Sequence, residues 1–371
     1  MRPLEGRLVL DFSTLLPGPM ATLMLAEAGA EVVKIERPGT GDEMRRYAPR
    51  AGVDSVNFVL LNRGKRSVAL DLKDPAARAQ LQPLLARADV LVEQFRPGVM
   101  ARLGLSYEAV AAVNPRIVYC SITGYGQSGP RSDATGHDLN YIGETGLLAL
   151  SHGDPARPVL PPALIADIAG GTYPAVINIL LALSERDRTG RGRHLDISMS
   201  DNLFPFLYWA MGQGSSTGRW PGNGDAMVTG GTARYRVYAA SDGALLAVAP
   251  IEQRFWEAFC AAIELDPALR DDRRDPAATI TGVAARLASE TGAHWRAVFE
   301  RADCCCSVVA TLQEAMASPH FVGRGLFAHG VTGSDGTRLP AVPMPLDPAF
   351  RAPPGDVAAP VLGADTAALL P

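Results

Sequence analysis

Three residues in this sequence have types and settings that suit proton or bond transfer: Asp167, His137 and Glu252. Asp167 stands in Leu164-Ile165-Ala166-Asp167-Ile168-Ala169-Gly170-Gly171, where a predicted helix opens and runs to about residue 185. A carboxylate there reads in two ways. It is a common helix cap, or it lies beside free backbone N–H groups and a positive dipole end, a setting that also stabilises an oxyanion. The glycine pair after it weakens a first turn and would let a ligand approach the backbone closely. His137, in Thr135-Gly136-His137-Asp138-Leu139-Asn140-Tyr141, ends a glycine-rich loop. A lone histidine is usually structural or exposed, yet its ordinary pKa of about 6.5 suits a general base near neutral pH. Glu252, in Val248-Ala249-Pro250-Ile251-Glu252, falls between a predicted strand and a predicted helix, the position of a cap or a first-turn acid.

A second group is basic: Arg37, Arg63, Lys65, Arg66, Arg96 and Arg102. Arg37 and Arg96 follow predicted strands, and in parallel sheets ligands bind outside the carboxyl ends of the strands. Basic residues gathered there could clamp a phosphorylated ligand; each alone reads equally as a solvated surface side chain.

The elements that must position these residues alternate. Short apolar runs at 7–12, 31–36, 67–72, 90–93 and 117–121 read as strands. Helix-like stretches at 21–28 and 74–88 lie between them, favouring βαβ units and a parallel sheet. Residues 124–136 read as a long functional loop. A further strand is expected at 194–198, a glycine- and serine-rich linker at 212–224, and two strands around Ser241-Asp242-Gly243 at 233–239 and 245–249. Helices should follow at 253–263, 282–289 and 294–301, and the proline-rich tail from Ala341 should run extended over a surface.

At 371 residues, with 47% apolar and 20% charged residues, the chain can build sizeable cores and suggests two domains. We expect a large domain over 1–200, with 330–371 returning to it, a linker at 201–224 and a small domain over 225–329. The net charge of −4 argues for neither nucleic acid nor a membrane surface as partner. No apolar stretch is expected to reach the roughly 18 residues of a membrane span, and the N-terminus lacks a signal peptide's apolar region, so a cytoplasmic location is expected. Five cysteines, three of them contiguous (Cys304, Cys305, Cys306), fit neither a disulfide framework nor zinc-ligand spacing, so we expect reduced, mostly buried thiols and no metal. There is no nicotinamide fingerprint, P-loop or G-x-S-x-G elbow.

Several runs, in order and spacing, resemble the family III CoA-transferases (CaiB/BaiF), and within them the alpha-methylacyl-CoA racemase branch. They are Leu16-Pro17-Gly18-Pro19-Met20-Ala21, residues 31–38 and 62–72, Phe95-Arg96-Pro97-Gly98, residues 123–130, 136–141, 167–171 and 189–196, Gly230-Gly231, Asp242-Gly243, and Glu252 with Phe255-Trp256. Together they cover nearly the whole chain.

The resemblance implies an α/β protein with a Rossmann-like parallel-sheet large domain that holds coenzyme A, a smaller α/β domain, and two chains threaded as an interlocked homodimer. It implies that Arg37, Lys65 or Arg66, and Arg102 bind the CoA phosphates, while Phe95 and Arg96 line the adenine and pyrophosphate pocket. No prosthetic group is implied; CoA enters as part of an acyl-CoA substrate. In the racemase branch Asp167 would work opposite His137, which pairs with Glu252, in a 1,1-proton transfer through a thioester enolate held by N–H groups near Asp167. In the transferase branch Asp167 would instead form a mixed anhydride with the acyl group and then carry CoA as an aspartyl thioester, with a carboxylic acid as acceptor. A third possibility is a non-catalytic CoA-binding protein. The sequence leaves the racemase pattern at Thr229, where racemases carry Asp and transferase-like relatives also carry Thr. Met199, Met211 and Met227 could adapt to an apolar acyl chain or simply pack a core.

Overall fold

The computed structural model describes residues 1–151 and 159–371. The apolar strand-length runs of the first two hundred residues become one six-stranded sheet: β1 (Leu8–Asp11), β2 (Glu31–Glu36), β3 (Arg66–Ala69), β4 (Val90–Glu93), β5 (Val118–Thr123) and β6 (Arg193–Ser198). Their spatial order is β3-β2-β1-β4-β5-β6 and every neighbouring pair is parallel. β1, β4 and β5 are buried along their whole length. A parallel sheet covered on both faces requires this, and it explains why these strands read as continuous apolar runs. This doubly wound order places a crevice outside the carboxyl ends of the strands, where the chain reverses direction between β1 and β4.

The chain divides into two compact units, Met1–Thr145 with Ala163–Pro205 and Pro319–Pro371, and Gly146–Pro162 with Phe206–Ser318. The return to the sheet-bearing unit thus begins at Pro319, earlier than the expected residue 330. Its end is anchored: Asp356–Ala358 pairs with Gly330–Thr332, and Leu370 joins the core beneath the sheet. The second unit packs an antiparallel sheet against helices. Its strands β7 (Arg236–Ala239), β8 (Leu245–Val248) and β9 (Cys306–Val308) lie in the order β9-β8-β7. Trp256, Phe259, Val283 and Trp295 fill the core between the sheet and the helices Gln253–Ala262, Pro276–Leu287 and Gly292–Ala302.

Three local expectations need correction. The segment 201–224, read as a linker, holds a 3-10 helix at Asp201–Leu207 and an α-helix at Tyr208–Thr217; Gly214 is there because a Cβ would sit 2.3 Å from the Trp220 ring. Helix α1 (Pro17–Glu27) starts four residues before the expected Ala21, since proline is tolerated in a first turn whose N–H groups are unpaired anyway. The stretch Ala166–Thr189, a π-helical turn (Ala166–Thr172) leading into an α-helix (Tyr173–Thr189), is long and apolar enough to cross a membrane by length and composition, contrary to expectation. Half of it is buried here, with Ala175, Val176, Ile179, Ala182 and Leu183 turned inward.

Beneath the carboxyl edge of the sheet lies a network of buried charge. Lys34, inside the apolar strand β2, is wholly buried; its Nζ lies 2.9 Å from Asp42 Oδ2 and donates to the Ser13 carbonyl at 2.8 Å. Asp11, also wholly buried, accepts from Ser13 N (2.9 Å), Thr22 Oγ1 (2.7 Å) and Lys65 Nζ (3.0 Å). Burial alone would push the Lys34 pKa down, but the carboxylates of Asp11, Asp42 and Glu36 outweigh it and hold the ammonium charged. Burial would likewise raise Asp11, yet Lys65 and Lys34 keep it ionised and below the usual carboxylate range. Removing one member leaves an uncompensated buried charge. Lys34→Met should therefore lower unfolding stability by about 3–5 kcal/mol in a chemical denaturation followed by circular dichroism, and adding Asp42→Asn should recover part of that loss.

Candidate active site

The loops at the sheet's carboxyl edge enclose a cleft of about 530 Å³ lined by Leu15, Leu16, Pro17, the Gln94–Pro97 loop after β4, the end of β5, the 132–137 loop, Tyr141, Asp167 and Met199. Asp167 and His137, 30 residues apart in sequence, both face it. His137 is exposed and is the N-cap residue of helix α2 (Asp138–Glu144); its backbone N–H donates to Asn140 Oδ1 at 3.0 Å. Gly124 and Gly136 have a plain reason: a Cβ at either would stand 2.5 or 2.7 Å from the Tyr141 ring. The Tyr141 hydroxyl then donates to the Gly136 carbonyl at 2.6 Å, fixing the loop that presents His137.

Asp167 lies one residue inside the π-helical turn and is not its cap. Its own N–H donates to the buried carboxylate Asp138 at 3.0 Å, and the next N–H, of Ile168, goes to the Leu164 carbonyl. The amides expected to hold an oxyanion beside Asp167 are therefore taken. The glycine pair also differs from expectation: a Cβ on Gly170 would sit 2.3 Å from the Met199 carbonyl oxygen, and one on Gly171 3.1 Å from Met199 Cγ. The two glycines let the helix pack against the end of β6 and open no path for a ligand.

Burial, reinforced by the negative charge of Asp138 and opposed by His137, raises the Asp167 pKa to about 6. A carboxyl half-protonated near pH 6 can give or take a proton under mild conditions. Around the cleft, Leu15 adopts a left-handed φ of 63°, which costs a bulky residue roughly 1–3 kcal/mol and needs outside support. The support is Asp42, which accepts from Leu15 N (3.1 Å) and Met44 N (3.0 Å) while paired with Lys34. On the opposite wall, Phe95 N donates to Glu93 Oε2 at 2.8 Å.

A neighbouring cleft of about 450 Å³ runs along the ends of β1, β2 and β3, lined by Arg37, Asp42, Leu72, Lys73, Phe95 and Leu103 among others. Phe95 lines both clefts; Arg96 is exposed and lines the first. Arg102 is exposed at the end of the short helix Val99–Arg102, beside the second cleft but not in its wall. Two expected phosphate ligands do not fit. Lys65 is buried, and its three donors go to Asp11 (3.0 Å), the Pro19 carbonyl (2.9 Å) and Asn62 (2.8 Å). Arg66 opens β3, at the opposite edge of the sheet, and is committed to Asp365 (2.9 Å) and Glu31 (3.0 Å). Arg63 is buried too, held by Glu27 and by the Leu60 and Val342 carbonyls. Lys73, which the sequence reading passed over, does line the second cleft; its place four residues past the end of β3 was the available signal. Asp138 was missed as well, though a second acid next to a candidate base is a visible cue.

Glu252 lies in the second unit. It is exposed and is the N-cap residue of Gln253–Ala262 through its carbonyl, while its carboxylate forms no hydrogen bond or ion pair among the described residues. Thr229 closes a single turn onto Ala226, and Met199 alone of the three methionines lines the 530 Å³ cleft, Met211 and Met227 being exposed in the second unit.

The sequence model of CoA-transferase family III matches residues 4–366. Human alpha-methylacyl-CoA racemase is 34% identical over 87% of this chain and 82% of its own length. The acetyl-CoA:oxalate CoA-transferase of Acetobacter aceti is also 34% identical, over 92% of this chain and 88% of its own. Among solved structures, a CAIB/BAIF family protein from Brucella suis superposes with a TM-score of 0.82 at 28% identity, covering 99% of this chain and 98% of that one.

The raised Asp167 pKa has a cost in stability. For an acid whose folded pKa (about 6) exceeds its ordinary value (3.8), the penalty is absent below pH 3.8, grows between the two values and is complete above 6. Asp167→Asn should therefore match the parent at pH 4 and exceed it at pH 8 by on the order of 1–2 kcal/mol, discounted for partial exposure, in paired denaturant titrations.

Proposed function

The chain belongs to CoA-transferase family III, and from that premise we propose that it is an enzyme that racemises 2-methylacyl-CoA thioesters by 1,1-proton transfer. The observation that carries the reading is the meeting of His137 and Asp167 in one cleft, with Asp167 poised to titrate near pH 6. One of the pair removes the proton next to the thioester carbonyl, and the other returns a proton to the opposite face of the same carbon. The thioester stabilises the intervening enolate better than an ester or carboxylate would.

In this reading the nucleotide of CoA occupies the 450 Å³ cleft with Arg37 and Lys73 at its phosphates and Arg102 beside it, and pantetheine passes Phe95 and Arg96 to bring the thioester to Asp167. Lys65 and Arg66 have structural tasks instead. Met199 offers an adaptable wall for the acyl chain. His137 would be oriented by Glu252 of the partner subunit in an interlocked homodimer. Supporting features are the Glu252 carboxylate, unpaired among the described residues, and the exposed apolar face of Tyr173, Ile177, Leu180 and Leu181 on the helix after Asp167.

Intermolecular CoA transfer through an Asp167 mixed anhydride is the second reading, favoured by the likeness to the oxalate enzyme. One experiment separates the two. A chiral 2-methylacyl-CoA incubated in heavy water should gain deuterium at the alpha carbon, and Asp167→Asn and His137→Ala should each slow this by about 10²–10⁴-fold. If no branched acyl-CoA exchanges, while CoA passes to a free carboxylic acid and His137→Ala spares that transfer, the racemase reading is wrong and the transferase reading holds. Arg37→Ala and Lys73→Ala should raise KM for acyl-CoA roughly tenfold with kcat little changed, and the effect should shrink as salt screens the phosphates.

A further inference from the structure

The cysteine triplet lies outside the machinery described above. It joins the helix Gly292–Ala302 to β9, and two non-glycine residues of this connection are left-handed: Asp303 with φ 42°, just before the triplet, and Cys305 with φ 53° within it. That alternation turns Cys304 inward (1% exposed), leaves Cys305 exposed and Cys306 half-buried. A central residue in the left-handed helical region brings the flanking Cα atoms to about 5.4 Å, inside the roughly 4.4–6.8 Å that a disulfide spans. The side chains follow: Cys306 Sγ donates to the Cys304 carbonyl oxygen at 3.2 Å, folding back toward the residue it would bridge. We propose that Cys304 and Cys306 are a reversible redox pair that closes to a disulfide with a hydroperoxide and reopens with a dithiol.

The neighbouring Cys306 thiol lowers the Cys304 pKa, while Cys304 and burial push that of Cys306 up, so Cys304 is the stronger nucleophile of the two. Its sulfur attacks hydrogen peroxide, the O–O bond breaks, and hydroxide leaves with the thiol proton as water. Cys306 then attacks the resulting sulfenic acid; the S–S bond forms, the S–OH bond breaks, and the hydroxide takes the Cys306 proton as a second water. Two thiols have lost two electrons to the peroxide. A dithiol returns them by exchange through a mixed disulfide.

The consequence rests on the reading of Glu252 given above. The Cys305 carbonyl accepts from Ala249 N at 3.1 Å, and Cys306 pairs with Val248 across the sheet. Glu252 follows Ala249 by three residues, and its charge acts on the Cys305 thiol. Closing the disulfide therefore pulls on the strand end that carries Glu252.

The test treats the full-length protein with hydrogen peroxide, blocks free thiols and maps the peptides by mass spectrometry. Expected is a loss of 2 Da in a cross-link joining Cys304 to Cys306, reversed by dithiothreitol, retained in Cys305→Ser and abolished in Cys306→Ser, whose fold is checked by circular dichroism. Three blockable thiols after oxidation, a cross-link through Cys305, or oxygen added irreversibly at Cys305 alone would overturn the pair. Proton exchange on the same samples tests the coupling separately. A reversible loss of at least fivefold is expected; full activity with the disulfide formed removes the link to Glu252 and leaves the redox site standing.

Discussion

The hydrogen bond from the Asp167 amide to the Asp138 carboxylate organises the site. It ties the π-helical turn to the first turn of α2, and so brings His137, the residue before Asp138, to the same cleft as Asp167. It also puts two carboxylates close together in a half-buried setting. Burial, reinforced by that second carboxylate, raises the Asp167 pKa to about 6.

A second constraint works below that contact. The carboxyl edge of a parallel sheet is a natural ligand crevice, but its loops must be held, and here buried ions hold them. Lys34 and Asp42 support the left-handed Leu15, while Asp11, Lys65 and Thr22 tie β1 to α1. Such networks are weak evidence for stability, because desolvation offsets much of the attraction. Their value here is that the same groups also bond the backbone of the cleft wall. Lys65 is therefore part of the scaffold, while Arg37 and Lys73 are exposed in the wall of the second cleft.

Much of this was legible in the residues. Runs such as Glu31–Glu36 and Val90–Glu93 could only be covered strands, and their alternation with helices gave the parallel sheet. The departures have identifiable causes. Proline inside a first turn hid the start of α1. Glycine and serine made Tyr208–Thr217 look like a linker because composition does not reveal that Gly214 must clear Trp220. Lys65 and Arg66 were read as phosphate ligands because motif order places a residue along the chain but does not say which way its side chain turns.

The sequence by itself determined the alternating α/β plan, because strand length and helix periodicity are local properties, and its ordered motifs carried the resemblance that implied the family and the candidate roles of Asp167, His137 and Glu252. Only the tertiary structure decided that Asp138 takes the Asp167 amide, that the glycine pair exists to admit Met199, and that Lys65 is buried against Asp11. Each of these depends on distances between segments far apart in the chain, and desolvation and hydrogen-bond competition are fixed only when those segments pack.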